Sequence, residues 1–554
     1  MSQYCSGLSP KSLLALLSTA VLTPANLLPV SLVGAFQTAG AAIAAEAGSP
    51  QANSPEQLFF EGQQLLSQSR IETTLAAVGK FKQAALLYQQ KQDYLGQGRS
   101  LNAMGEAYYN LGRNGDAQSA YNQALNLYQQ LNTVPTTQLL RQQGTTLNNM
   151  GAVYEAQAAY ADALKFYTNA LAFRLRAKDT VGEGITLNNL GGVYFRLGDN
   201  QNALKYYQRA LALHQRLGDR LGEAVTLNNL GFFSRSAGQY VQSQRQEQQA
   251  KEWYLNALKY YQQALVIRQA QKDFAAQAMI YNNIGAAYRD LQDYDNAIKV
   301  YKWAQDVYKT LGDRLGQATV LNNLGGLYLG QKKFEDAKTT YEQARDIVQG
   351  TESAEEATTL SNLGLLYRSF GDVWKLRDGS GTAQAKSNAN SFYSDALKAY
   401  EEGLAIIQKL GDRRSEGATL NNIGSVQIEL GRYEDALKVY EKALLVYRQL
   451  GDRTNEATTQ HNIGVVYSLD GKYLGAINAY NAALRIVRSI GDRSAEAAIL
   501  RNIGVAYAKE KEYNRALDSY RQARSIRQEL KDNAGAAALD REIQQLQSQQ
   551  KSIQ

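Results

Sequence analysis

The chemistry this chain repeats is that of the carboxamide. Residues 217–231 read LGDRLGEAVTLNNLG, and the adjacent asparagines of that phrase return as 148-149, 188-189, 282-283, 322-323 and 421-422. A carboxamide donates through its nitrogen and accepts through its oxygen, so a spaced row of them can match the donors and acceptors of an extended polypeptide backbone. Other chemistry is thinly provided. The single cysteine is Cys5, the two histidines, His214 and His461, stand 247 residues apart, and the sequence holds no metal-ligand spacing, nucleophile elbow or phosphate-binding glycine loop. Glycines in LGxxYxxLG phrases mimic a dinucleotide fingerprint, but no strand precedes them. The expectation is a protein that is not an enzyme, with no catalytic residue, metal or cofactor.

Asparagine is a poor helix former, by about 0.5 kcal/mol relative to alanine, because its amide competes for backbone hydrogen bonds. Yet the segments that carry the pairs are helical in pattern. The glycine of the LNNLG phrase recurs as Gly105, Gly151, Gly191, Gly231, Gly285, Gly325, Gly364, Gly424, Gly464 and Gly504, a 40-residue period broken at three places. In one unit, residues 186–220, Leu187, Leu190, Gly191 and Tyr194 fall at i, i+3, i+4 and i+7, and Ala203, Tyr207, Ala210 and Leu211 resume the pattern after LGDN. Two amphipathic helices follow. Gly198 and Gly218 suit left-handed helix ends, and Asp199 or Asn200, then Asp219, suit the next N-caps. The arginine of the recurrent LGDR is expected to pair with a neighbouring carboxylate or to stay solvated.

These residues resemble the tetratricopeptide repeat. With Gly191 as position 8, the family pattern of Leu at 7, an aromatic at 11, Ala at 20, an aromatic at 24 and Ala at 27 is met by Leu190, Tyr194, Ala203, Tyr207 and Ala210. The match recurs over residues 56 to 531, and Ala77, Phe81 and Ala84 mark a weaker first unit, eleven in all. The departure is length: the family's usual unit has 34 residues, and the longer, GDR-punctuated version is similar to kinesin light chain, Pins-type adaptor and bacterial tetratricopeptide proteins. The resemblance implies an all-α, right-handed superhelical solenoid of helical hairpins. Ser54-Pro55-Glu56-Gln57 reads as the N-terminal capping box, and residues 532–554 as a capping helix with Gln544 in place of the glycine. The tyrosines, 36 in the chain, are then packing residues.

At about 100° per residue, positions 3, 6 and 10 share one flank of the first helix and positions 2, 5, 9 and 12 the other. Position 10 is mostly apolar, so Asn149, Asn189, Asn229, Asn283, Asn323, Asn362, Asn422, Asn462 and Asn502 at position 6 are expected inside, bonded to structure. Position 5 holds Asn102, Asn148, Asn188, Asn228, Asn282, Asn322, Ser361, Asn421, His461 and Arg501, beside small residues at position 9. The resemblance implies that this flank lines a concave groove. Asn148, Asn188, Asn228, Asn282, Asn322 and Asn421 are therefore the expected peptide-binding residues, with His461 and Arg501 reading an acidic group and His461 a candidate pH switch.

Residues 1–47 differ in kind. Lys11 precedes an apolar run, and the small-residue stretch ending near Ala47 reads as a secretory signal with its cleavage site; a membrane anchor over residues 12–45 is the alternative. Residues 48–55 form a linker. Cleavage would remove Cys5 and leave the net charge of +7 unchanged. Lys and Arg are scattered among acids, which argues against nucleic acid as partner. Two long insertions, within 238–253 and 372–391, are read as a helical extension and a mobile loop, and a shorter one at 131–138 lies between units. Trp253 and Trp374 flank the long ones, marking either a second contact surface or hinge packing; His214 is placed at an exposed position. Together these suggest an exported interaction scaffold that binds a partner's extended segment in its groove. A sensor of a free short peptide and a membrane-tethered spacer are the alternatives.

Overall fold

A Cβ on residue 191 would stand 2.7 Å from the ring of Tyr207. Only a hydrogen lets the two helices come so close, and the same glycine and tyrosine meet in every unit from Gly105 with Tyr121 to Gly504 with Tyr520. Ala203 and Ala210, which flank Tyr207 on its helix, are wholly buried. Small residues bring the backbones together, and the ring fills the space beside them.

The structure, a computed structural model, describes residues 54–68, 70–131, 136–243, 246–377 and 383–553. The segment read as a signal or anchor, residues 1–47, lies outside the described residues, as does most of the linker after it. Every regular element among the described residues is an α-helix. Two compact bodies part between Leu311 and Gly312. The first holds α1 (Pro55–Leu66), α2 (Ile71–Gln90), α3 (Tyr94–Asn110), α4 (Asn114–Gln130), α5 (Thr137–Ala156), α6 (Tyr160–Arg176), α7 (Thr180–Arg196), α8 (Asn200–Leu217), α9 (Arg220–Ser243), α10 (Glu247–Ala270), α11 (Phe274–Asp290) and α12 (Tyr294–Leu311). The second holds α13 (Arg314–Gly330), α14 (Phe334–Val348), α15 (Ala354–Arg377), α16 (Ala383–Leu410), α17 (Arg413–Glu429), α18 (Tyr433–Leu450), α19 (Arg453–Leu469), α20 (Tyr473–Ile490), α21 (Arg493–Lys509), α22 (Tyr513–Glu529) and α23 (Asn533–Ile553). Odd helices pair with the even helix that follows, which makes eleven hairpins and a lone last helix. Within the first body the odd helices also meet each other directly, α3 with α5, α5 with α7, α7 with α9 and α9 with α11. They form the inner side of that stack.

The punctuation works as its residues dictate. Gly218 ends α8 at φ +65°, a left-handed conformation that costs a glycine nothing. Asp219 then accepts from the amide of Gly222 at 3.0 Å, and Arg220 pairs with Glu223 at 2.6 Å. At α1, Ser54 accepts from the Gln57 amide at 3.1 Å with Pro55 in the first turn. Gln57 turns to Glu61 and does not reach back to close the box.

Two expectations are corrected. His214 is 1% exposed, because glycines of two consecutive first helices leave room for its ring: a Cβ on Gly184 of α7 would lie 2.6 Å from it, and Gly222 of α9 also closes on it. Its Nδ1 meets Asp219 at 2.8 Å, so the imidazole joins one repeat to the next. The insertion within 372–391 is mostly helix. α9 and α15 each have 24 residues where the other first helices from α7 to α21 have 17, their partners α10 and α16 have 24 and 28, and seven residues are two turns, about 10 Å. Each extended hairpin doubles the glycine–tyrosine contact at a spacing of seven: Gly238 with Tyr254 beyond Gly231 with Tyr261, and Gly371 with Tyr393 beyond Gly364 with Tyr400. Trp253 and Trp374 both pack inward, Trp253 edge-on to Phe233 at 6.2 Å and Trp374 against the cluster of Tyr393, Tyr400 and Val426. That is the hinge-packing alternative. The exposed tryptophan is Trp303.

Candidate functional site

The asparagine pairs sit mid-helix on the first helices of both bodies, and within each body they couple a repeat to its neighbour. Asn189 Nδ2 donates to Asn148 Oδ1 of the preceding repeat at 3.1 Å, and Thr186 Oγ1 donates to the same oxygen at 3.1 Å. Asn229 donates to Asn188 at 3.1 Å, Asn283 to Asn228 at 3.0 Å, Asn149 to Asn102 at 3.4 Å and Asn362 to Asn322 at 3.1 Å. Asn322 in turn donates to Thr359 at 2.8 Å, and Asn421 to Thr459 at 3.0 Å. A ladder of amides therefore runs from repeat to repeat. It offsets the helix penalty of the paired asparagines, because the position-5 oxygens of Asn102, Asn148, Asn188, Asn228, Asn322 and Asn421 each have a donor in the adjacent hairpin.

The expected division between the two asparagines does not hold: position 5 is no exposed row, and in the pairs 188-189 and 322-323 it is the more buried member. Position 5 lies mostly inside: Asn148 is 1% and Asn188 4% exposed, and Asn102, Asn282 and Asn322 are buried too. Asn228 and Asn421 are half-buried, with their carboxamides engaged as described. Position 6 is mixed: Asn149 and Asn283 are buried as expected, at 1% and 9% exposed, whereas Asn189, Asn229, Asn323, Asn362, Asn422, Asn462 and Asn502 are half-buried. The physical reason lies in neighbouring repeats: the next first helix packs over the position-5 flank and brings its own position-3 threonine and position-6 asparagine down on it. Helical angle gives the flanks correctly and is silent on which one a neighbour covers.

At the far end the ladder changes chemistry and keeps its geometry. His461 Nε2 lies 2.8 Å from Asn502 Nδ2, where the histidine must accept, and its ring rests against Tyr480 at 5.4 Å. Burial pushes its pKa down to about 4, so at neutral pH it is an uncharged acceptor and no reader of carboxylates. Arg501 grips Glu542 of α23 through Nε at 3.0 and 3.1 Å and Nη2 at 2.5 Å. It is the last rung, closed by an ion pair to the capping helix. Gln544, at the glycine position of that helix, is exposed.

What the ladder leaves over in the first body is a row of oxygens: Asn189, Asn229 and Asn283 each commit Nδ2 to the rung and keep Oδ1 without a protein donor. Asn362 does the same in the second body. Small residues stand beside them at position 9, among them Ala152, Gly192 and Gly326. The sequence reading missed the threonines at position 3 and the acid at 542. The threonines had a signal, TLNN, in which a hydroxyl stands two residues before Asn102, Asn148, Asn188, Asn228 and Asn421; Glu542 had one only once the cap is aligned as a further repeat, at position 6. Among the described residues no cluster of metal-binding side chains occurs and no helix is long and apolar enough to cross a membrane.

Profiles of the tetratricopeptide repeat match residues 98–131, 144–177, 182–253, 276–350, 316–375, 388–449, 415–489 and 455–529, more than half of the chain. Among curated proteins none matches. Solved structures that are similar include BtubC (BKLC) from P. vanneervenii, at 21% identity over 44% of this chain and 92% of that one, with a TM-score of 0.35. The human IFIT1 dimer with m7Gppp-AAAA is similar at 14% identity over 77% and 89%, TM-score 0.43. A Rap protein complexed with Competence and Sporulation Factor is similar at 13% over 72% and 99%, TM-score 0.40. These likenesses are too distant to carry a ligand across.

Proposed function

Because this chain belongs to the tetratricopeptide repeat family, a family of protein-interaction scaffolds that are typically non-enzymatic, we propose that it holds an extended segment of a partner protein along the inner side of its first helices. The observation that supports this is the row of position-6 carboxamide oxygens on three successive first helices of the first body, those of Asn189, Asn229 and Asn283, each fixed by its own rung and each without a donor. A rung is pre-organisation: the amide cannot rotate without breaking its bond to the preceding repeat, so little side-chain entropy is lost when a backbone N–H arrives. The occupant is an extended strand, because only its N–H groups recur along a line.

A photo-crosslinking amino acid placed at Val225, on the inner flank of α9, should capture peptides selected from a random dodecamer library, and one placed at Lys205, on α8, should not. Equal capture at both positions would remove the inner side from consideration. Export is part of the same reading, resting on residues 1–47. Sequencing the N-terminus of the native protein should begin near Gly48, and an intact Met1 would refute cleavage.

A further inference from the structure

Glu106 occupies position 9 of α3, beside the second rung, where neighbouring repeats have Ala152 and Gly192. It is 8% exposed, and none of its ion pairs or hydrogen bonds is made to the protein; no cation of the chain acts on it. Unpaired carboxylates are among the most costly groups to bury. Nearby, the Tyr121 hydroxyl is buried beside Asn149, and the Glu106 charge acts on it. On the next first helix Glu155 accepts from Tyr167 Oη at 3.0 Å. Its other oxygen faces the space that Gly192 leaves, 3.7 Å from where a Cβ would be. Tyr109 lines the interval between the acids, and its pKa is pushed up to about 12 by burial and by Glu155. Arg196 acts on Glu155 from α7 but forms no ion pair with it.

We infer that the inner side of α3, α5 and α7 is a receptor for a basic side chain of the bound polypeptide, with Glu106 and Glu155 as its counter-charges. The inference rests on the proposed binding of an extended segment and adds the partner's chemistry: a lysine or arginine must project from it at this point. An ammonium group is three donors with no acceptor, which fits a face that presents two carboxylates without a cation paired to either. Without the ligand, burial holds Glu106 up to about 8, so the carboxyl is mostly protonated at neutral pH and the isolated charge is avoided. The arriving cation expels that proton. Binding should therefore strengthen as pH rises toward 8, by up to about tenfold per pH unit.

The test selects a phage-displayed random dodecamer library on the full chain and on the Glu106→Gln, Glu155→Gln double variant. The best peptide is then measured by fluorescence anisotropy, as selected and with each basic residue replaced by norleucine. Enrichment of Lys or Arg on the native chain alone is expected, with at least tenfold weaker binding of the basic peptide to the double variant and unchanged binding of the norleucine form. The melting temperature of the double variant should equal or exceed that of the native chain, since a buried unpaired acid is relieved. Peptides that bind the double variant as tightly, or that lose nothing on norleucine replacement, overturn the acidic receptor and leave the groove standing. A selection that recovers no peptide overturns the groove and the receptor together.

Discussion

A single oxygen, Asn148 Oδ1, takes one hydrogen bond from Thr186 and one from Asn189, and that fact ranks the residues of the pair. Asn148→Ala would strand two donors in the interior, Asn189→Ala only one acceptor shared with the threonine. Thermal or urea denaturation should show Asn148→Ala losing about 1 to 3 kcal/mol and Asn189→Ala less, with a coupling of about 1 kcal/mol in the double-mutant cycle. Helical angle alone predicts the opposite order, and that order in the melting data would reject the ladder. His461 gives a pH signature. Its folded pKa of about 4 lies below the ordinary 6.5, so the unfolded chain binds the proton more readily, and stability is full above 6.5 and lost as pH falls toward 4. Relative to His461→Asn, the native chain should lose about 1 to 3 kcal/mol across that window; parallel pH curves would place the imidazole in water.

Two glycines in helix interiors make contrasting predictions for the element. Gly191 faces the Tyr207 ring, while a Cβ on Gly79 of α2 would meet nothing within 4 Å. Gly191→Ala should destabilise, because overpacking of about 1 to 3 kcal/mol exceeds the gain in helix propensity. Gly79→Ala should stabilise by about 0.5 to 1 kcal/mol for the same propensity without the clash. Calorimetry showing both changes with one sign would mean that glycine is present for backbone reasons alone. The element scale also explains how long insertions were absorbed: two turns added to one helix were matched by two turns on its partner, Gly238 meeting Tyr254 as Gly231 meets Tyr261.

Repeats bind only their neighbours, so the molecule's weak point is its end. There Leu539 and Leu546 of α23 complete a cluster with Ile503, Tyr520 and Ile526, and Arg501 clasps Glu542. Glu542→Ala should leave Arg501 half-buried and unpaired. Hydrogen exchange should rise in α23 and then α21–α22 with little change in the first body. The exchanged pair Arg501→Glu, Glu542→Arg should recover much of the protection; uniform loss along the chain would imply one cooperative unit.

Period, hairpin count, capping residues and the glycine–tyrosine seam were legible in the linear sequence, because each is set by contacts within a repeat or at one fixed offset. A local rule sees these. The allocation of Asn148 and Asn189, the burial of His214, the tie from Arg501 to Glu542 and the unpaired state of Glu106 were decided only by tertiary structure. Each depends on what the neighbouring repeat lays over a face, or fails to supply to it, and helical angle carries no information about the neighbour.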